Sequence, residues 1–308
     1  MWHIAYSPFR AFLTFAGMVL VLSSANSRAA DSPTSTPKEM DRYARGLWSE
    51  GKYEESLRTC QLMQRQHPND LWASWMGSRG AVLCLQRLGR YDEATSAAKK
   101  AIERFGESRE VVDPEDPRLP LGIEARYVMT TWIGDNLTRQ RSYERAVAEY
   151  QRAMRFLDDF RRTECTSPSQ AAAALLFRNG TYGKLAACYA EAGQYEKAAQ
   201  MCDAGSAALA DALTSDCVNF LFFKKTVPLW RYDQEISLPK QAADYYEKAG
   251  LHERAKTIRA RLLSVSRQAA ADGRYKAVQL DTSVELVLNG LERDAATTTS
   301  GVGQRPAP

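Results

Sequence analysis

Few residues in this chain could do chemistry. It carries three histidines and six cysteines among 308 residues. His67 precedes the helix-ending Pro68, His252 stands where a packing tyrosine is expected, and His3 belongs to an N-terminal leader. HExxH, CxxC and GxSxG are all missing, so zinc-protease, dithiol-redox and serine-hydrolase chemistry lack their motifs. "GTYGK" at 180–184 has the wrong glycine spacing for a phosphate loop and falls inside a helical stretch, where close helix contact is its expected role. Asp113, Glu115 and Asp116 lie in a proline-rich connector without the ligand spacing of a calcium loop. No catalytic residue, metal or cofactor is therefore expected, and the chain reads as a non-enzyme.

The cysteines are Cys60, Cys84, Cys165, Cys188, Cys202 and Cys217. Their even number suits disulfides in an oxidising compartment, and equally suits small buried slots in which a thiol packs as a compact hydrophobe. Facing helices would bring Cys188 near Cys202, and stacked neighbours would bring Cys60 near Cys84. Cys165 and Cys217 fall in connectors. "NLT" at 136–138 and "NGT" at 179–181 match the glycosylation pattern but lie in predicted helices, where the match is coincidental.

The elements that must position these side chains announce themselves by repetition. "GKYEESL" at 51, "GRYDEAT" at 89, "RSYERAV" at 141 and "GQYEKAA" at 193 are near copies, and "GLHERAK" at 250 is a fifth. Glycines 51, 89, 193 and 250 suit the left-handed residue that ends a helix. An aromatic residue two positions later starts a second helix. A small residue three further on (Ser56, Ala94, Ala146, Ala198, Ala255) lets the second helix approach the first. Helix starts are legible as well: "TPKE" places Thr36, Pro37 and Glu39 as a capping box, "SPSQ" repeats the device at Ser167, and "LPKQ" puts Pro239 at a helix start.

On these residues the chain resembles the tetratricopeptide repeat family. The fourth copy carries Tyr182, Leu185, Ala186 and Tyr189, then Gly193, Tyr195 and Ala198. The first carries Ala44, Gly51, Tyr53 and Pro68, and the third Ile133, Gly134, Tyr143, Ala146, Tyr150 and Ala153. The resemblance implies an all-α fold of antiparallel helix pairs stacked into a solenoid. The copies are spaced more widely than the family's roughly 34 residues. The excess falls in longer helices and in three connectors, among them "LTSDCVNFLFFKKTVPLWRYDQEISLP". Residues 37–293 are thus expected to hold about five helix pairs and a C-terminal capping helix, and 294–308 a disordered polar tail.

The N-terminus has a different character. Arg10 precedes "AFLTFAGMVLVL", which is too short to span a bilayer and is followed by small residues. This is the order of a secretory signal peptide, with cleavage after Ala29 or after Ala25. Residues 1–29 are read as that signal and 30–36 as a linker, so the mature chain is expected to be exported, periplasmic or secreted, with no membrane span. A net charge of +4 on this length argues against a nucleic-acid binder that works by bulk charge.

Two function classes remain: a scaffold that holds a protein or peptide segment, and a structural subunit of an exported assembly that uses the convex face or the ends, which self-association through "FLFFKKTVPLW" would favour. The resemblance implies a concave groove lined by the first helix of each pair. The residues there that packing does not use are Arg42, Arg45, Trp48, Arg79, Arg87, Trp132, Arg139 and Lys184, with Asp41, Asp135 and Glu191 as the acids. Such a stripe suits an acidic segment, because guanidinium groups bind carboxylates in bidentate fashion and tryptophan offers an apolar or cation-holding face.

Overall fold

The computed structural model of the chain describes residues 36–110, 119–214, 227–276 and 280–300. The leader at 1–29, most of the linker, the acidic loop at 113–116, Cys217 and "FLFF" at 220–223 lie outside them. The described residues are helical and contain no strand. In chain order the helices are α1 (Pro37–Ser49), α2 (Tyr53–Gln66), α3 (Leu71–Arg87), α4 (Tyr91–Phe105), α5 (Leu121–Arg139), α6 (Tyr143–Thr163), α7 (Pro168–Glu191) and α8 (Tyr195–Thr214). They continue with α9 (Val227–Tyr232), α10 (Leu238–Lys248), α11 (His252–Asp272) and α12 (Asp281–Ser300).

One connector recurs between the paired helices. Gly51 N–H donates to Trp48 O at 3.1 Å and Lys52 N–H to Leu47 O at 2.9 Å. This Schellman pair satisfies carbonyls that the end of α1 would otherwise leave unpaired. The same two bonds form at Gly89 and Arg90, Arg141 and Ser142, Gly193 and Gln194, and Gly250 and Leu251. The glycine φ angles are +78°, +73°, +74° and +77°, and Arg141 takes the position with φ +60°. The repeated small residues are all buried. Ser56 adds a bond, donating from Oγ to Ala44 O at 2.8 Å. The phrase aromatics are only partly enclosed: Tyr53, Tyr91, Tyr143 and Tyr195 are half-buried, and His252 is exposed. At the first residue of a helix, one side of the ring has no preceding turn to cover it.

The described chain divides into two compact units, residues 36–181 and 182–300. In the first, α1 to α6 pack successively in adjacent pairs, each helix against the next, in the all-α, solenoid-like manner expected. Thr36 closes its capping box as predicted, with Glu39 Oε2 accepting from Thr36 N–H at 2.8 Å. In the second unit, α10 packs on α8 and α11, and α12 covers α11. Pro239 stands in the first turn of α10, as expected, but that helix has no free start. A π-turn, Asp233–Ser237, joins α9 directly to α10. Its Leu238 N–H donates to Asp233 O, five residues back. Proline lacks an N–H and crowds the carbonyl one turn earlier, and the wider turn accommodates it. The released Gln234 carbonyl accepts from Ser206 Oγ at 2.8 Å. Finally, α12 runs on to Ser300, past the boundary expected at 293.

Candidate binding face of the first helices

Within residues 36–181 the first helices of the pairs, α1, α3 and α5, are neighbours. Helix α1 touches α3 directly, and α3 meets α5 through the polar side chains Arg79 and Gln86. Arg79 Nη1 lies 3.2 Å from Glu124 Oε1, and Gln86 Nε2 donates to Asn136 Oδ1 at 2.8 Å. The numbers rise together along both helices, so α3 and α5 run parallel. Their C-terminal ends, and that of α1, therefore point the same way and carry Trp48, Arg87 and Arg139.

The stripe expected from the sequence is only partly assembled. Arg87 stacks on Trp48, its guanidinium carbon 5.1 Å from the ring centroid. The Trp48 Nε1–H is enclosed and makes no hydrogen bond among the described residues. Arg42, Arg45, Arg87 and Arg139 are exposed. Arg45 pairs with Asp41 at 2.8 Å, a surface contact of small energetic weight. Burial pushes the Asp41 carboxyl above its usual range, with Arg45 and then Arg79 acting against that. Arg79 is committed on two sides, to Glu124 and to the Trp75 ring at 5.6 Å. Among the described residues Arg42, Arg87 and Arg139 form no ion pair, so each first helix presents one unneutralised guanidinium.

One expectation needs correction. Trp132 is 5 % exposed and belongs to the core. Helix α5 is apolar on nearly every side, because α4 and α6 both pack on it, and no solvent stripe is left for an indole. Lys184 is half-buried and falls in the second unit. Glu124 and Gln86 were not singled out in the sequence. Nothing but their place on neighbouring helices marks them as the links between repeats.

Other chemistry is sparse. Among the described residues no group of three or more His, Cys, Asp or Glu side chains is placed to hold a metal ion. A cleft of about 140 Å³ lined by Glu107, Arg109, Arg126 and Glu164 is smaller than the roughly 300–1,000 Å³ typical of small-molecule sites. Asn136, in the first glycosylation-like triplet, is fully buried, and its amide donates to Thr95 Oγ1 at 3.0 Å. Asn179, in the second, is also buried. No described helix is long and apolar enough to cross a membrane.

No family model matches the chain, and no curated protein matches it. Among solved structures it is similar to the crystal structure of BtubC (BKLC) from P. vanneervenii, at 15 % identity and a TM-score of 0.42, over 89 % of this chain and 95 % of that one.

Proposed function

We propose that the chain is a protein-binding scaffold that holds an acidic peptide or protein segment against the face of α1, α3 and α5. The observation that carries this reading is the set of exposed, unpaired guanidiniums, Arg42, Arg87 and Arg139, one on each of three adjoining first helices, with Trp48 beside Arg87. Carboxylates would take bidentate bonds from the arginines, and an apolar side chain of the partner would rest on the indole. The test is fluorescence anisotropy of a labelled oligoglutamate peptide. Arg42→Ala, Arg87→Ala and Arg139→Ala are each expected to weaken binding several-fold, and Arg152→Ala, on the second helix α6, to leave it unchanged. Binding should fall as salt rises from 0.1 to 1 M, where the Debye length shrinks from about 10 to 3 Å. Equal losses from all four variants, or no salt dependence, would overturn the groove and put the structural-subunit reading ahead.

Export belongs to the same proposal and rests on the sequence of residues 1–29. The native protein should begin at Ala30 or Asn26 on N-terminal peptide mapping. Recovery of intact Met1 in a membrane fraction would overturn it.

A further inference from the structure

Helices α2 and α3 meet along a seam of small and sulfur-bearing residues. Ser56, Cys60 and Gln64 follow one another at four-residue steps on α2, and Gly77, Gly80 and Cys84 face them from α3. Cys84 Sγ donates to Ser56 Oγ at 3.3 Å, and Gln64 Nε2 donates to Ser78 Oγ at 2.9 Å. The two helices therefore run antiparallel, with Cys60 between those contacts and opposite Gly80. The approach is close: a Cβ at Gly80 would stand 2.4 Å from Cys60 Sγ, and one at Gly77 2.8 Å from Cys60 O. One turn beyond Gly80, Cys84 sets its thiol on Ser56, one helical turn from Cys60, and the two thiols shift each other's pKa in opposite directions. Both residues are buried, at 4 % and 0 % exposure, and both are reduced here. A cysteine that merely fills a small slot packs against carbon; these two pack on each other.

We propose that Cys60 and Cys84 are a reversible cross-linking site: exchange with a small-molecule disulfide joins them in one intramolecular bond that ties the first helix pair to the second. The Cys84 thiolate attacks one sulfur of the disulfide RS–SR and expels RS⁻, which takes up the proton that Cys84 lost. Cys60, on losing its own proton, attacks the Cys84 sulfur of the mixed disulfide and releases the second RSH. Two thiols are thereby oxidised and one RS–SR is reduced to two RSH. Both sulfurs are covered, so exchange runs through local opening of α1 and α2. In a repeat array each pair is held by its neighbours, and a bond across this seam fixes the pair that carries Arg42 and Trp48 to the pair that carries Arg87.

The full-length protein, incubated with oxidised glutathione, alkylated with N-ethylmaleimide and digested with trypsin, tests this by mass spectrometry. The expected product is the peptide TCQLMQR (59–65) linked to GAVLCLQR (80–87), separated again by dithiothreitol. The oxidised protein should melt about 5–10 °C above the reduced protein, and Cys60→Ala and Cys84→Ala should each lose that difference. The oxidised-versus-reduced comparison of the unaltered chain needs no variant to fold. Recovery of the two peptides unlinked, as alkylated thiols or glutathione adducts, would overturn the proposal, as would linkage of either one to Cys165, Cys188, Cys202 or Cys217.

Discussion

The Arg87 guanidinium lies over the Trp48 ring, its central carbon 5.1 Å from the centroid, and joins the last turn of α3 to the last turn of α1. A cation over an indole at a solvent-facing site contributes about 0.5–1 kcal/mol. Arg87→Ala is therefore expected to lower stability by about that amount in urea denaturation. An unchanged midpoint would mean that the stack does not form in solution and that Arg87 leaves the Trp48 ring uncovered.

Arg141 occupies the left-handed position that glycine fills in the other four connectors, at φ +60°. A side chain there brings Cβ against the following carbonyl, a cost of about 1–2 kcal/mol that glycine avoids. Glycine gives back part of the gain through its freer unfolded chain. Arg141→Gly should thus stabilise the protein by about 0.5–1 kcal/mol, and Gly89→Ala should destabilise it by a similar amount. Guanidinium midpoints of the two variants should move in opposite directions; movement in the same direction would refute the shared-connector account.

The connectors were legible in the sequence because a Schellman turn is local: glycine, a following aromatic and a small residue suffice to specify it. The fold class followed from their repetition. The seams between repeats were not legible in the same way. The Arg79–Glu124 and Gln86–Asn136 contacts join residues far apart in the chain, and each member alone looks like an ordinary solvated helix position. Trp132 was misplaced because the repeat pattern assigns no packing role to its position, whereas two flanking helices close over α5. The end of α12 was missed because Asp294 to Ser300 offer few apolar residues; Ala295 and Ala296 still favour helix. Cys60 beside Cys84 was anticipated, because stacked neighbours follow from the repeat itself.

Asp233 opens the π-turn, and its carboxyl is enclosed although the residue as a whole is half-buried. Burial raises its pKa from an ordinary 3.8 to about 7, against a lowering hydrogen bond with Ser237. An acid whose pKa rises on folding binds its proton more tightly in the native state. Its native state is therefore favoured at acid pH and loses stability as pH climbs from about 4 to about 7. Asp233→Asn, which imitates the protonated form, should stabilise the protein by about 1–2 kcal/mol at pH 8 and by almost nothing at pH 4. Melting curves of both proteins across that range check this; a difference that stays constant with pH would show that Asp233 is ionised throughout.

Two helical glycines separate backbone propensity from packing. Gly46 lies in α1, and a Cβ built on it meets nothing within 4 Å. Gly46→Ala should therefore stabilise the protein by about 0.5–1 kcal/mol through helix propensity alone. Gly134 lies in α5, where a Cβ would stand 2.6 Å from Cε1 and 2.8 Å from Cδ1 of Tyr150. That ring cannot swing aside cheaply. It is 2 % exposed, and its hydroxyl donates to Asp135 Oδ1 at 2.8 Å. Relief would have to come from separating α5 and α6 in the middle of the unit, so Gly134→Ala should destabilise by about 1–3 kcal/mol despite the same gain in propensity. Adding Tyr150→Phe removes the hydroxyl anchor and should lessen the penalty of Gly134→Ala, since neighbouring sites couple. Strict additivity of the two substitutions in urea denaturation would show that the ring is not what holds Gly134 in place.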